Sequence, residues 1–110
     1  MVGNRTIDEK TIAEAVELLR RAAPSATIIV FGSAARGETT RDSDLDILVV
    51  EPAVNDRWAE MVRLRDVLGP LRIPIDVLVY SQETFDYWVE TPGTVIYEAA
   101  QEGRIFESKS

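Results

Sequence analysis

The chain has 110 residues, 45% hydrophobic and 28% charged, which fits one compact globular domain able to bury roughly two thirds of the surface its unfolded chain would expose. Cysteine and histidine are both absent, so disulfides, thiolate metal sites, zinc centres and Ser/His/Asp or Cys/His catalysis each lack a required part. A formal net charge of -7 has the wrong sign for bulk attraction to phosphate backbones, and no apolar run approaches the roughly 20 residues a membrane span needs, so the sequence reads as soluble and cytosolic, without nucleic acid or membrane as direct partner.

Residues 7–23 place Ile12, Ala15, Val16, Leu19 and Ala22 at helical spacing, with Thr6 and Glu9 set as a capping box and Pro24 as the stop. Residues 27–31 (TIIVF) are a β-branched and aromatic run ending at Gly32, which predicts a buried strand. A loop rich in Gly, Ser, Thr and Asp follows. Residues 45–50 (LDILVV) predict a second strand, apolar on both faces, and residues 55–68 a helix with Trp58, Met61, Val62 and Leu68 on one side, closed by Gly69-Pro70. Residues 75–80 (IDVLVY) predict a third strand, a sister of the second. Ser81 is placed to cap a short helix through Phe85 and Trp88, Pro92 to open a last helix, Gly103 to end it, and residues 104–106 to add an edge strand. The order α-β-β-α-β-α-α predicts the α/β (α+β) class, a small mixed sheet packed by helices.

Chemistry concentrates in Gly32-Ser33-Ala34-Ala35-Arg36-Gly37, then Ser43-Asp44-Leu45-Asp46, and Asp76. The short link between the first two strands favours an antiparallel turn-back, while the helix between the second and third allows a parallel crossover, so Ser33, Asp44, Asp46 and Asp76 should converge at one sheet edge. Alternation puts Asp44 and Asp46 on one face about 6.6 Å apart, with a neighbouring strand about 4.8 Å away, so three carboxylates are expected to share a small volume. Such crowding raises a pKa or recruits a cation. Hard oxygen ligands suit Mg²⁺, and a pair of ions can clamp both oxygens of an in-line phosphoryl displacement. Gly32 lets backbone approach a phosphate, Ser33 adds a hydroxyl, and the planar fork of Arg36 suits a triphosphate. Asp76 is then placed to accept the proton of an attacking hydroxyl.

This pattern of strand, Gly-Ser, ten residues, Asp-x-Asp and a third carboxylate on a later strand resembles the minimal nucleotidyltransferase domains of the DNA polymerase β-like superfamily, closely over residues 28–80 and loosely elsewhere. The resemblance implies the nucleotidyltransferase fold over 1–110 as a single minimal domain, with Mg²⁺ and a nucleoside triphosphate. It implies Asp44, Asp46 and Asp76 as metal ligands and catalytic residues, and Gly32, Ser33 and Arg36 as nucleotide contacts. Larger members add an acceptor-binding domain, for which this chain leaves no room. Small members are often antitoxins paired with a helical HEPN ribonuclease toxin, which implies a type VII-like system. There AMP passes from ATP to a toxin tyrosine, and the partner supplies the missing surface.

Plainer readings stand beside these. Asp44 alone reads as a turn cap, Gly32-Ser33 alone as a plain turn, and Arg36 as a surface partner of Glu38 or Asp42. Asp46 and Asp76, inside aliphatic strands, resist that reading, because a partnerless buried carboxylate costs several kcal/mol. Trp58, Met61, Phe85 and Trp88 read as core or interface anchors, and the region of Tyr87, Trp88 and Tyr97 as a patch for a partner or a second copy. Two rival functions remain: an antitoxin that neutralises by binding alone, and a transferase acting on a small molecule such as an aminoglycoside.

Overall fold

The structure, a computed structural model, describes residues 7–37 and 44–107. Helix α1 (Glu9–Ala22) starts at Asp8, whose side chain accepts from the Thr11 amide at 2.8 Å and from the Thr11 hydroxyl at 2.8 Å. The cap is therefore Asp8 rather than the expected Thr6, which lies outside the described residues. Strand β1 (Thr27–Phe31) leads through Gly32 into a one-turn helix, α2 (Ser33–Arg36), at the start of the Gly- and Ser-rich link to the second strand. Strand β2 (Leu45–Glu51), helix α3 (Arg57–Val67) and, after a 3-10 turn at Gly69–Leu71, strand β3 (Ile75–Ser81) follow.

Ser81 caps α4 (Gln82–Trp88) as expected, its hydroxyl accepting from the Thr84 amide. The last helix, α5 (Val95–Glu102), is capped by Thr94 rather than opened by Pro92, because the Thr94 hydroxyl accepts from the Tyr97 amide at 3.1 Å. The expected edge strand is present as β4 (Arg104–Phe106).

The four strands form one mixed sheet in the order β3-β2-β1-β4. The turn-back from β1 to β2 is antiparallel, with Phe31 opposite Asp46, and the crossover from β2 to β3 is parallel, with Asp46 opposite Asp76. One face (Ile28, Val30, Ile47, Val49, Val77, Val79) packs with Ile12, Ala15, Val16 and Leu19 of α1 and Leu64 of α3. The other face is smaller: Ile29, Leu48 and Val50 pack with Ile96 and Ala99 of α5, joined by half-buried Phe31, Leu78, Tyr80 and Phe85.

Helix α3 turns a different side inward from the one expected. Trp58 is 72% exposed and Val62 55%, whereas Leu64 and Leu68 are buried and Met61 is half-buried. Met61, Leu64 and Leu68 follow the i, i+3, i+7 spacing that α1 and β3 can cover together, and Trp58 and Val62 lie off that stripe. Tyr87 is also 72% exposed and meets Trp88 edge-on, with ring centroids 4.8 Å apart. Among the described residues no helix is long and apolar enough to cross a membrane.

Candidate functional site

The site grows out of the end of β1. Phe31 is the last strand residue, and Gly32 turns the chain with φ 76 and ψ -156, a conformation essentially reserved for glycine. A Cβ at Gly32 would strike the Asp46 carboxylate, so the glycine is required twice, for its backbone angles and for the side chain it must admit. Ser33 then opens α2, in which Ala35 N–H donates to the Gly32 carbonyl at 3.2 Å. The first amides of a helix have no partner within it, and this turn opens beside Asp46, whose carboxylate lies against Gly32.

Alternation along β2 and β3 puts Phe31, Asp46 and Asp76 in one row on the face shared with Ile29, Leu48 and Leu78. Asp46 is half-buried and Asp76 exposed. Asp44 stands exposed just ahead of β2, where the Leu45 amide donates to the Pro74 carbonyl at 2.9 Å and ties the start of β2 to the start of β3. Burial pushes the Asp46 carboxyl above its ordinary 3.8, and the negative charges of Asp76 and then Asp44 push it further. The three carboxylates feel one another, with Asp46 at the centre.

They do not close into a cage. Among the described residues no three carboxylates are spaced to hold an ion by themselves, so the expectation of three in one small volume is met as a row of two with Asp44 at its rim. That arrangement still fits Mg²⁺, which keeps waters and substrate phosphates in its shell and needs only one or two carboxylates from the protein. A desolvated carboxylate repelled by two others is the donor a divalent cation relieves.

Arg36 is exposed at the end of α2, and its Nη1 donates to Oε1 of Glu102, the last residue of α5, at 3.0 Å. Glu38 and Asp42, its expected surface partners, lie outside the described residues, as does Ser43. Among the described residues, Glu102 is a neighbour of Arg36 that sequence reasoning missed. It is 66 positions from Arg36, and no local pattern joins them.

A family model described as "Nucleotidyltransferase domain" matches residues 12–106, most of the chain. No curated protein matches the chain. Among solved structures it is similar to a chain of the toxin-antitoxin MntA-HepT complex, with 19% identity and a TM-score of 0.60 over 92% of this chain and 73% of that one. A toxin-antitoxin structure with AMP-PNP aligns at 24% identity and a TM-score of 0.57, over 93% of this chain and 75% of that one. A complex of tri-AMPylated Shewanella oneidensis HEPN toxin with MNT antitoxin aligns at 18% identity and a TM-score of 0.52, over 91% and 71%. These likenesses carry the fold. With the Gly-Ser turn, the strand-borne aspartates and a family match from α1 through β4, the chain belongs to the nucleotidyltransferase domain family.

Proposed function

We propose that this chain, as a single minimal nucleotidyltransferase domain, transfers AMP from ATP to a hydroxyl of a partner protein, a tyrosine of a HEPN toxin, and so acts as that toxin's antitoxin. The observation that carries the reading is the in-register pairing of Asp46 with Asp76 beside a Gly32 turn that leaves no room for a side chain. Asp44, Asp46 and Asp76 would hold Mg²⁺, which when bound supplies charge neutralisation to both oxygens of the displacement. Gly32 and Ser33 receive the phosphates on backbone N–H groups and a hydroxyl, and Arg36 meets the charge that builds on the leaving pyrophosphate. Asp76, exposed at the sheet edge, takes the proton of the attacking hydroxyl.

Support for the acceptor comes from the similar solved structures, one of which pairs an MNT antitoxin with an AMPylated HEPN toxin and another of which carries AMP-PNP. The net charge of -7 suits a basic, RNA-handling partner through faster encounter. The test is transfer from α-labelled ATP with Mg²⁺ into a lysate of the source cell, comparing wild type with Asp46→Asn and Asp44→Asn. The expected result is one labelled protein band with wild type and at least a hundredfold less with either variant, in keeping with loss of an essential electrostatic group. Label on a small molecule would overturn the acceptor, and wild-type labelling by Asp46→Asn would overturn the site.

A further inference from the structure

Glu102 stands where the molecule cannot easily move it. Gly103, the next residue, lies so close to β1 that a Cβ there would run into the Ala99 and Val30 carbonyl oxygens and the Ile29 side chain. Its N–H donates to the Ala99 carbonyl at 2.8 Å, and β4 then joins the sheet beside β1, with Ile105 opposite Ile29. The end of α5 is therefore pinned onto the sheet. Ile29 belongs to the face that carries Phe31, Asp46 and Asp76, one row inward from the aspartates. A guanidinium bonded to Glu102 is thereby tied to the end of the helix packed on that face.

We propose that Glu102 is a positioning residue for nucleotide binding: its carboxylate holds the Arg36 guanidinium on the face of the aspartates, so the fork is oriented before a triphosphate arrives. The inference rests on the nucleotidyltransferase reading of that site. Arg36 ends a single helical turn closed by Gly37 at φ 73, an element too short to restrict a long side chain by itself. The pair is half-exposed on both sides and adds little to folding, but ordering a flexible cation in advance removes a cost from binding. The carboxylate also repels an incoming anion. Water screens that longer-range repulsion more than it weakens a charge-assisted bond at 3.0 Å, so positioning outweighs it.

The experiment is equilibrium binding of AMP-PNP with Mg²⁺ to wild type, Glu102→Gln, Arg36→Gln and the double variant, with KM and kcat for labelled transfer and a thermal melt of each. Glu102→Gln is expected to raise Kd and KM on the order of fivefold with kcat and Tm unchanged. Arg36→Gln should raise Kd further, and the double variant should match Arg36→Gln alone, because Glu102 acts only through Arg36. Wild-type or tighter binding by Glu102→Gln, or effects that multiply in the double variant, would overturn the inference while leaving the site reading intact. A wild type that binds no nucleotide overturns the site reading and this inference with it.

Discussion

Gly32 and Asp46 are one device built from two residues. The turn at Gly32 uses backbone angles that other residues adopt only at a cost of about 1–3 kcal/mol, and the space where its Cβ would stand is filled by the Asp46 carboxylate. Gly32→Ala is therefore expected to be destabilised by at least about 2 kcal/mol and to lose transfer, because relief of the clash displaces Asp46. A denaturant melt and a labelled-transfer assay check both halves, and a variant of wild-type stability would show that the turn tolerates a side chain. Asp46 behaves in the opposite sense. Burial and two neighbouring carboxylates work against its charged form, so Asp46→Asn should melt at or above the wild-type temperature while transfer disappears. Inactivity with undiminished stability marks a residue kept for chemistry rather than for folding.

At the scale of elements, Gly103 fixes how α5 meets the sheet. An added Cβ would press on two carbonyl oxygens and on Ile29, so Gly103→Ala should cost about 1–3 kcal/mol and loosen α5 and β4 together. Hydrogen exchange should show faster exchange at Ile105 and Phe106, with the β2–β3 pairs unaffected; uniform loss of protection would mean that the sheet does not open in parts. The strands and the two aspartates inside them were legible because a carboxylate in an aliphatic run has few bland explanations, and because link lengths dictate which neighbours run parallel. The face of α3 was not. Trp58 and Val62 make one apolar stripe and Met61, Leu64 and Leu68 another, and only the docking of α1 and β3 decides between them. The start of α4 at Ser81 was legible, but the N-caps of α1 and α5 were not, since Asp8 and Thr94 each sit near a plausible alternative and backbone geometry selects one. The tie from Arg36 to Glu102 has no local signature, being made by tertiary packing alone.

Across the whole molecule, the end of β2 farthest from the aspartates carries a second titrating group. Glu51 lies five residues beyond Asp46, about 16 Å along the strand. It faces Glu60 of α3, whose two oxygens accept from Arg63 Nε at 2.9 Å and Nη2 at 2.6 Å, while Arg63 Nη1 donates to the Ala22 carbonyl at the end of α1 at 3.1 Å. One Glu51 oxygen is buried without a donor, and a carboxylate cannot bond to another carboxylate unless a proton lies between them. Burial and the shared proton with Glu60 push Glu51 up to about 7, and the Arg63 bonds hold Glu60 down at about 2. Between an unfolded value of 4.5 and a folded value of about 7 the folded chain holds a proton that the unfolded chain has released, so stability falls as pH rises through that window. Glu60 acts with the opposite sign below pH 4.5, where its contribution is lost as pH falls toward about 2. Glu51→Gln supplies a permanent donor to Glu60 in place of the proton. Its stability should decline less from pH 5 to 8 than that of the wild type, and at pH 8 it should exceed the wild type by on the order of 1 kcal/mol, a figure reduced for the solvent that reaches the pair. Chemical denaturation at each pH reads the difference, and parallel declines in the two proteins would assign the pH dependence to another group. Because Glu51 is remote from the Asp46 row, labelled transfer by Glu51→Gln should follow the wild type throughout, which separates the titration that sets stability from the carboxylates that carry the chemistry.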